Sequence, residues 1–168
     1  AHGRLFGLNK SFFLPIQVFW DFRAAFPSLS HIWMLRILFK MGAPAGLNFF
    51  LHELYDNCTA YITAFGITQF LCNITSGIKQ GCPLSGSLYI LATDIFVSSL
   101  HYAINLTGLG YIGACADDVG GVLTSIKHLI SIFPIFQDAQ EFANLELKPI
   151  KCYIVPVGTH CSMHIISV

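Results

Sequence analysis

Charge is scarce in this chain. Of its 168 residues only 11% are charged, and nine Lys and Arg balance nine Asp and Glu. Globular chains usually carry about a quarter charged residues. Disorder is excluded, because disordered chains are poor in apolar residues and rich in charge. A net charge of zero also leaves no basic footprint of the kind that grips phosphate backbones. CxxC pairs are absent too. The six cysteines, at 58, 72, 82, 115, 152 and 161, form no tight framework, so free, reduced, mostly buried thiols are expected. His160, Cys161 and His164 stand together, but only Cys152 could join them, and a structural zinc site needs four ligands at set spacing. There is no repeat, low-complexity run or linker, and no initiating Met or signal-peptide pattern. The expectation is one partial domain spanning 1–168, cut from a larger intracellular protein, nuclear or cytoplasmic and not secreted. The sequons at Asn57, Asn73 and Asn105 then read as chance matches.

What is abundant is hydrophobicity, at 54% of residues with a mean hydropathy of +0.63. Residues 57–78 and 95–116 carry no Asp, Glu, Lys or Arg, and a window scan flags both as candidate membrane spans. Polar amides and threonines in the first, and His101, Asn105 and three glycines in the second, point to a buried core and no membrane.

The periodicity predicts a mixed order of elements. Residues 16–22 read as a buried strand ending in Asp21. Ser30 caps a helix through about Met41, with Ile32, Leu35 and Leu38 or Phe39 inward. Pro44 opens a second helix to about 56, with Leu47, Phe50, Leu51 and Leu54 inward. A hairpin follows at 59–66 and 68–75, then a glycine-rich loop at 76–86. Pro83 starts a long helix to about Ile104, built on Leu84, Leu88, Leu91 and Ile95. Two short strands surround Asp117-Asp118, Ser125 caps helical residues 126–145 with a kink or break at Pro134, and 151–158 closes as a strand. Hairpins interleaved with helices predict an α+β fold, an antiparallel sheet packed on one face by helices.

Three of the nine acids keep apolar company. Asp21 follows Val18, Phe19 and Trp20, while Cys115, Ala116, Val119 and two glycines flank Asp117 and Asp118. A bare buried carboxylate costs several kcal/mol, so a close pair calls for protonation or a cation. Adjacent strand residues point to opposite faces, so two neighbouring aspartates serve one site best at the tip of a tight turn. Three convergent carboxylates suit hard cations with oxygen ligands, Mg²⁺ above all. Two metals about 3.5–4 Å apart can stabilise in-line phosphoryl transfer. The plainer readings are turn chemistry for the pair and a loop-start residue for Asp21.

These residues sit in recognisable motifs. DFRAAFPSLSH (21–31) resembles the first carboxylate motif of reverse transcriptases, especially those of non-LTR retrotransposons and group II introns. SGIKQGCPLSGSLYILATD (76–94) resembles their next palm motif, CADD (115–118) the YxDD box, and FANLELKPIKCYIVPVG (142–158) the motif after it. The resemblance implies a polymerase palm at about 16–158 with fingers and thumb largely missing. It implies RNA-templated DNA synthesis with two Mg²⁺ ions, or Mn²⁺, acting on an RNA template, a DNA primer and dNTPs.

It also implies roles for single residues. Asp21, Asp117 and Asp118 match the metal-binding and catalytic triad, and the carbonyl of Phe22 matches a further metal ligand. Phe26 matches the aromatic gate that excludes a ribose 2′-hydroxyl. Gln80 and Gly81 match the segment lining the nucleotide and template pocket, and Lys151 matches a lysine that protonates departing pyrophosphate. Cys115 replaces the usual Tyr, Pro27 a frequent Asp, Lys148-Pro149 the usual Asn-Pro, and Cys152 the usual Thr. Arg4 and Lys10 are the basic residues ahead of Asp21 that could reach a triphosphate. The alternative is an inactive or domesticated palm serving as a scaffold or nucleic-acid-binding module.

Overall fold

The computed structural model describes residues 14–157 and a short strand at 166–167. Arg4, Lys10, His160, Cys161 and His164 lie outside the described residues. Strand β1 (Ile16–Trp20) leads to a single helical turn α1 (Ala25–Ser28), then α2 (His31–Lys40) and α3 (Ala45–Tyr55). The hairpin β2 (Thr59–Ala64) and β3 (Ile67–Asn73) precedes α4 (Ser85–Ile104). A second hairpin, β4 (Gly110–Cys115) and β5 (Asp118–Leu123), is followed by α5 (His128–Ala143). A 3₁₀ turn at Pro149–Lys151, β6 (Tyr153–Pro156) and β7 (Ile166–Ser167) complete the described chain.

The main sheet runs β4-β5-β1-β6-β7, antiparallel at every pairing. Alternation along β1 is strict: Ile16, Val18 and Trp20 are buried, and Gln17 and Phe19 are exposed. The buried side packs, with Ile112, Val119, Leu123 and Ile154, against Leu100 and Ile104 of α4 and Ile132 and Phe136 of α5. Helices thus cover one face and leave the other open, the α+β palm-like arrangement expected. A second core joins the helices to the loops at Leu29, Ile78 and Leu145, and includes Met34, Leu38, Leu51, Tyr55, Leu88 and Tyr89.

Element order matches the sequence reading, but several helix faces do not. In α2 the buried residues are His31, Met34 and Leu38, while Ile32 and Phe39 are exposed. In α3 only Leu51 and Tyr55 are buried, and Leu47 and Phe50 are exposed. Leu84, just before α4, and Leu91 and Ile95 within it are exposed, while Leu88, Tyr89, Ala92, Thr93, Leu100 and Ile104 are buried. Exposed residues such as Ile32, Phe39, Phe50 and Ile95 are as apolar as those within, so periodicity alone could not choose a face. Helix α5 continues through Pro134 without a break, and the Ser125 hydroxyl accepts from Lys127 N one turn ahead of it. Of the five described cysteines, all free, only Cys152 is buried.

The two uncharged stretches also fold differently from a span. Residues 57–78 are largely the β2–β3 hairpin, and 95–116 divide between α4 and β4. Helix α4 itself is long and apolar enough to cross a membrane by length and composition. Here it packs into both cores.

Candidate active site

Asp21 immediately follows β1, beyond the pair Trp20 and Val119. One further step of that register sets Asp21 opposite Asp118, the first residue of β5. Strand parity puts Asp21 on the side of Phe19 and Asp118 on the side of Gly120, which is the open face. The two acids line one open recess of about 600 Å³, with Phe19, Gly120, Lys151 and Tyr153 around them. Gly120 keeps the floor low, because a Cβ there would meet the Phe19 ring at 3.4 Å.

The strand end carrying Asp21 is held from the other side of the sheet. Its carbonyl accepts from Lys148 N at 2.8 Å, Phe22 bridges to Leu147, and Arg23 N donates to the Glu146 carbonyl at 2.7 Å. The buried Cys152 thiol lies behind it, 3.5 Å from the Lys148 carbonyl. These bonds bring Lys151 round to the recess, where its ammonium forms an ion pair with Asp21 Oδ2 at 3.4 Å. That oxygen is buried and has no hydrogen-bond partner. The Phe22 carbonyl accepts no hydrogen bond from the described residues.

Asp117 occupies a different position. Cys115 pairs with Asp118, so Ala116 and Asp117 are the two turn residues of the hairpin, with Ala116 at φ 55. A positive φ at the first turn position suits a two-residue hairpin loop. The pair therefore sits at a hairpin tip beside Asp21, as expected, yet Asp117 does not line the recess. Among the described residues no three His, Cys, Asp or Glu side chains gather closely enough to hold a metal by themselves. The hydroxyl of Tyr89 is held well above the usual tyrosine range, first by burial and then by the negative charge of Asp117.

A hard divalent cation fits the recess. Two carboxylates face it from adjacent strands, one oxygen is buried without a hydrogen bond, and a cationic ammonium already stands beside that oxygen. Asp21 and Asp118 would hold the ion, with Asp117 and the Phe22 carbonyl next in sequence.

The remaining predicted residues lie outside the recess. Phe26 is half-buried and stacked on Tyr89, ring centroids 4.3 Å apart. Gln80 and Gly81 are exposed in the loop before α4, Gly81 at φ 82 with open space where a Cβ would stand. Sequence reasoning passed over Tyr89, the buried ring on which Phe26 stacks. No spacing could have marked it, since its partners come from distant segments.

Comparison with known proteins bears on this geometry. Residues 15–161 match the family described as "Reverse transcriptase (RNA-dependent DNA polymerase)". Over 81 residues the chain is 32% identical to the Retrovirus-related Pol polyprotein from type-1 retrotransposable element R2 of Popillia japonica. That stretch is 48% of this chain and 13% of the relative. Apo telomerase from Candida tropicalis superposes with a TM-score of 0.70 at 11% identity, over 94% of this chain and 31% of that one. The form truncated from its C-terminal domain gives 0.68 at 14% identity, over 96% and 35%. The telomerase likeness shows a shared fold, and this chain spans only a fraction of each relative's length. With the family match covering both hairpins, the strand of Asp21 and the turn of Lys151, the chain belongs to the reverse transcriptase family.

Proposed function

We propose that the Asp21–Asp118 recess is the nucleotidyl-transfer centre of an RNA-templated DNA polymerase, the palm portion of a retroelement reverse transcriptase. The observation that carries this is the pairing of two carboxylates across β1 and β5 on the open sheet face, one with a buried, unpartnered oxygen. A divalent ion held there, Mg²⁺ or Mn²⁺ and two in the full site, would lower the pKa of a primer 3′-hydroxyl and offset triphosphate charge.

The chain's own groups do the rest. Asp118 at the start of β5 and Asp21 just after β1 would hold the ion. Lys151 presents an ammonium that can donate a proton to a leaving pyrophosphate oxygen. Phe26, braced by Tyr89, presents a flat ring against the sugar. The loop of Gln80 and Gly81 lies exposed, where backbone can meet template and nucleotide. An RNA template, a DNA primer and dNTPs are the partners. One similar telomerase structure is described as a complex with a fragment of telomeric RNA, which supports a nucleic-acid partner. The matched stretch is 13% of the retrotransposon polyprotein, which supports a longer parent protein carrying fingers and thumb.

The test is primer extension on an RNA template by the parent polymerase. Asp21→Asn and Asp118→Asn should each lower the rate by about a hundredfold or more. Urea stability should stay close to wild type. Near-normal extension by either variant would remove the recess from the reaction.

A further inference from the structure

We infer that Lys151 is a built-in stand-in for the metal: its ammonium neutralises Asp21 until a divalent cation displaces it. The inference rests on the proposed reading of Asp21 and Asp118 as metal ligands and adds a second task for Lys151. Three observations carry it. The ammonium lies 3.4 Å from Asp21 Oδ2, the same oxygen that is buried without a hydrogen bond. A charged oxygen in that state costs free energy unless a cation is near. Lys151 lines the recess with Asp21 and Asp118, so a cation arriving at those carboxylates meets the ammonium.

The contact is also built to let go. The Lys151 side chain is 55% exposed, and its approach to Oδ2 lacks hydrogen-bond geometry. A contact that is open to solvent on the lysine side and lacks hydrogen-bond geometry is weaker than a fully buried, hydrogen-bonded pair. The 3₁₀ turn that carries Lys151 is anchored by backbone bonds from Lys148 to Asp21 and from Lys151 to Lys148. Only the flexible stem need swing. Once displaced, the ammonium remains in the recess, where the charge it next meets is that of an incoming polyphosphate.

The experiment measures Mn²⁺ affinity of the full chain by electron paramagnetic resonance, without nucleotide and at low ionic strength. Lys151→Gln should bind Mn²⁺ about fivefold more tightly than wild type. Lys151→Arg, which keeps the charge, should bind like wild type. In an Asp21→Asn background the gain from Lys151→Gln should vanish, because the competition is for that one carboxylate. An equal gain in both backgrounds would overturn the inference in favour of a diffuse field effect. So would a Lys151→Gln affinity equal to or weaker than wild type. If wild type and Lys151→Gln both fail to bind Mn²⁺ saturably, the metal-site reading beneath falls as well. Circular dichroism checks folding, and Lys151→Ala repeats the comparison with a shorter side chain.

Discussion

Phe26 lies nearly parallel to Tyr89, at an interplanar angle of 17°. A ring so supported cannot yield to a larger sugar without moving a buried neighbour. Phe26→Ala in the parent polymerase should therefore admit ribonucleotides. Relieving an overpacked contact of about 1–3 kcal/mol corresponds to roughly ten- to a hundredfold in rate. The measurement is the ratio of kcat/KM for a dNTP to that for its rNTP, in wild type and variant. A fall in both rates with an unchanged ratio would make Phe26 core packing alone. The candidate site residues were legible because they broke a pattern: Asp21, Asp117 and Asp118 are acids in apolar company. Tyr89 was illegible because an aromatic on an apolar helix breaks nothing. The buried oxygen of Asp21 was equally hidden, since it depends on where the Lys148–Cys152 turn returns.

At the scale of elements, the loop before α4 is tied to α1 and α2. Gly77 N donates to the Leu29 carbonyl at 2.8 Å, Ile78 N donates to the Phe26 carbonyl at 3.0 Å, and His31 Nε2 lies 2.7 Å from the Gly77 carbonyl. These bonds set Phe26 and the Gln80 loop in one frame. Gly77 has φ 97, and a Cβ there would stand 2.8 Å from the Pro27 carbonyl oxygen. Gly77→Ala should cost about 2–4 kcal/mol, from the positive φ and the clash together. Gly86→Ala, in α4 with nothing near its Cβ, should be neutral or stabilise by up to about 1 kcal/mol. Urea denaturation of both variants decides, and equal effects would show that the loop is not tied at Gly77. Boundaries were readable here because Gly and Pro mark them: Gly42, Gly66 and Pro83 fall in turns, and Pro44 directly precedes α3. Faces were not readable, since Phe39, Phe49, Ile90 and Ile130 are exposed helix residues as apolar as those within.

For the whole molecule, the open sheet face carries the consequence. Phe19, Tyr111, Val122, Tyr153 and Val155 are exposed along it, beside the recess. Contiguous exposed apolar surface of this kind marks a face that other structure or a ligand covers. The chain covers about a third of the matched telomerase chains. Residues 1–168 alone should therefore give no measurable primer extension, since no helix among the described residues covers the open face to clamp a primer and template over the recess. They should also bind a hydrophobic dye while showing native far-ultraviolet dichroism. Robust extension by the isolated chain would show that these residues suffice for polymerase action.

The position of β1, hydrogen-bonded on both sides, makes the site a matter of odd and even numbers. Ile16, Val18 and Trp20 share one parity and meet the helices; Phe19 and Asp21 share the other and meet the recess. Inserting or deleting one residue between Ile16 and Asp21 would exchange the two sets. A carboxylate would turn toward Phe136, and an apolar side chain would turn toward Asp118. A change of two residues would restore the face but displace the carboxylate by about 6–7 Å along the strand. Such a lineage could lose its chemistry with Asp21, Asp118 and Lys151 all intact, through a count alone.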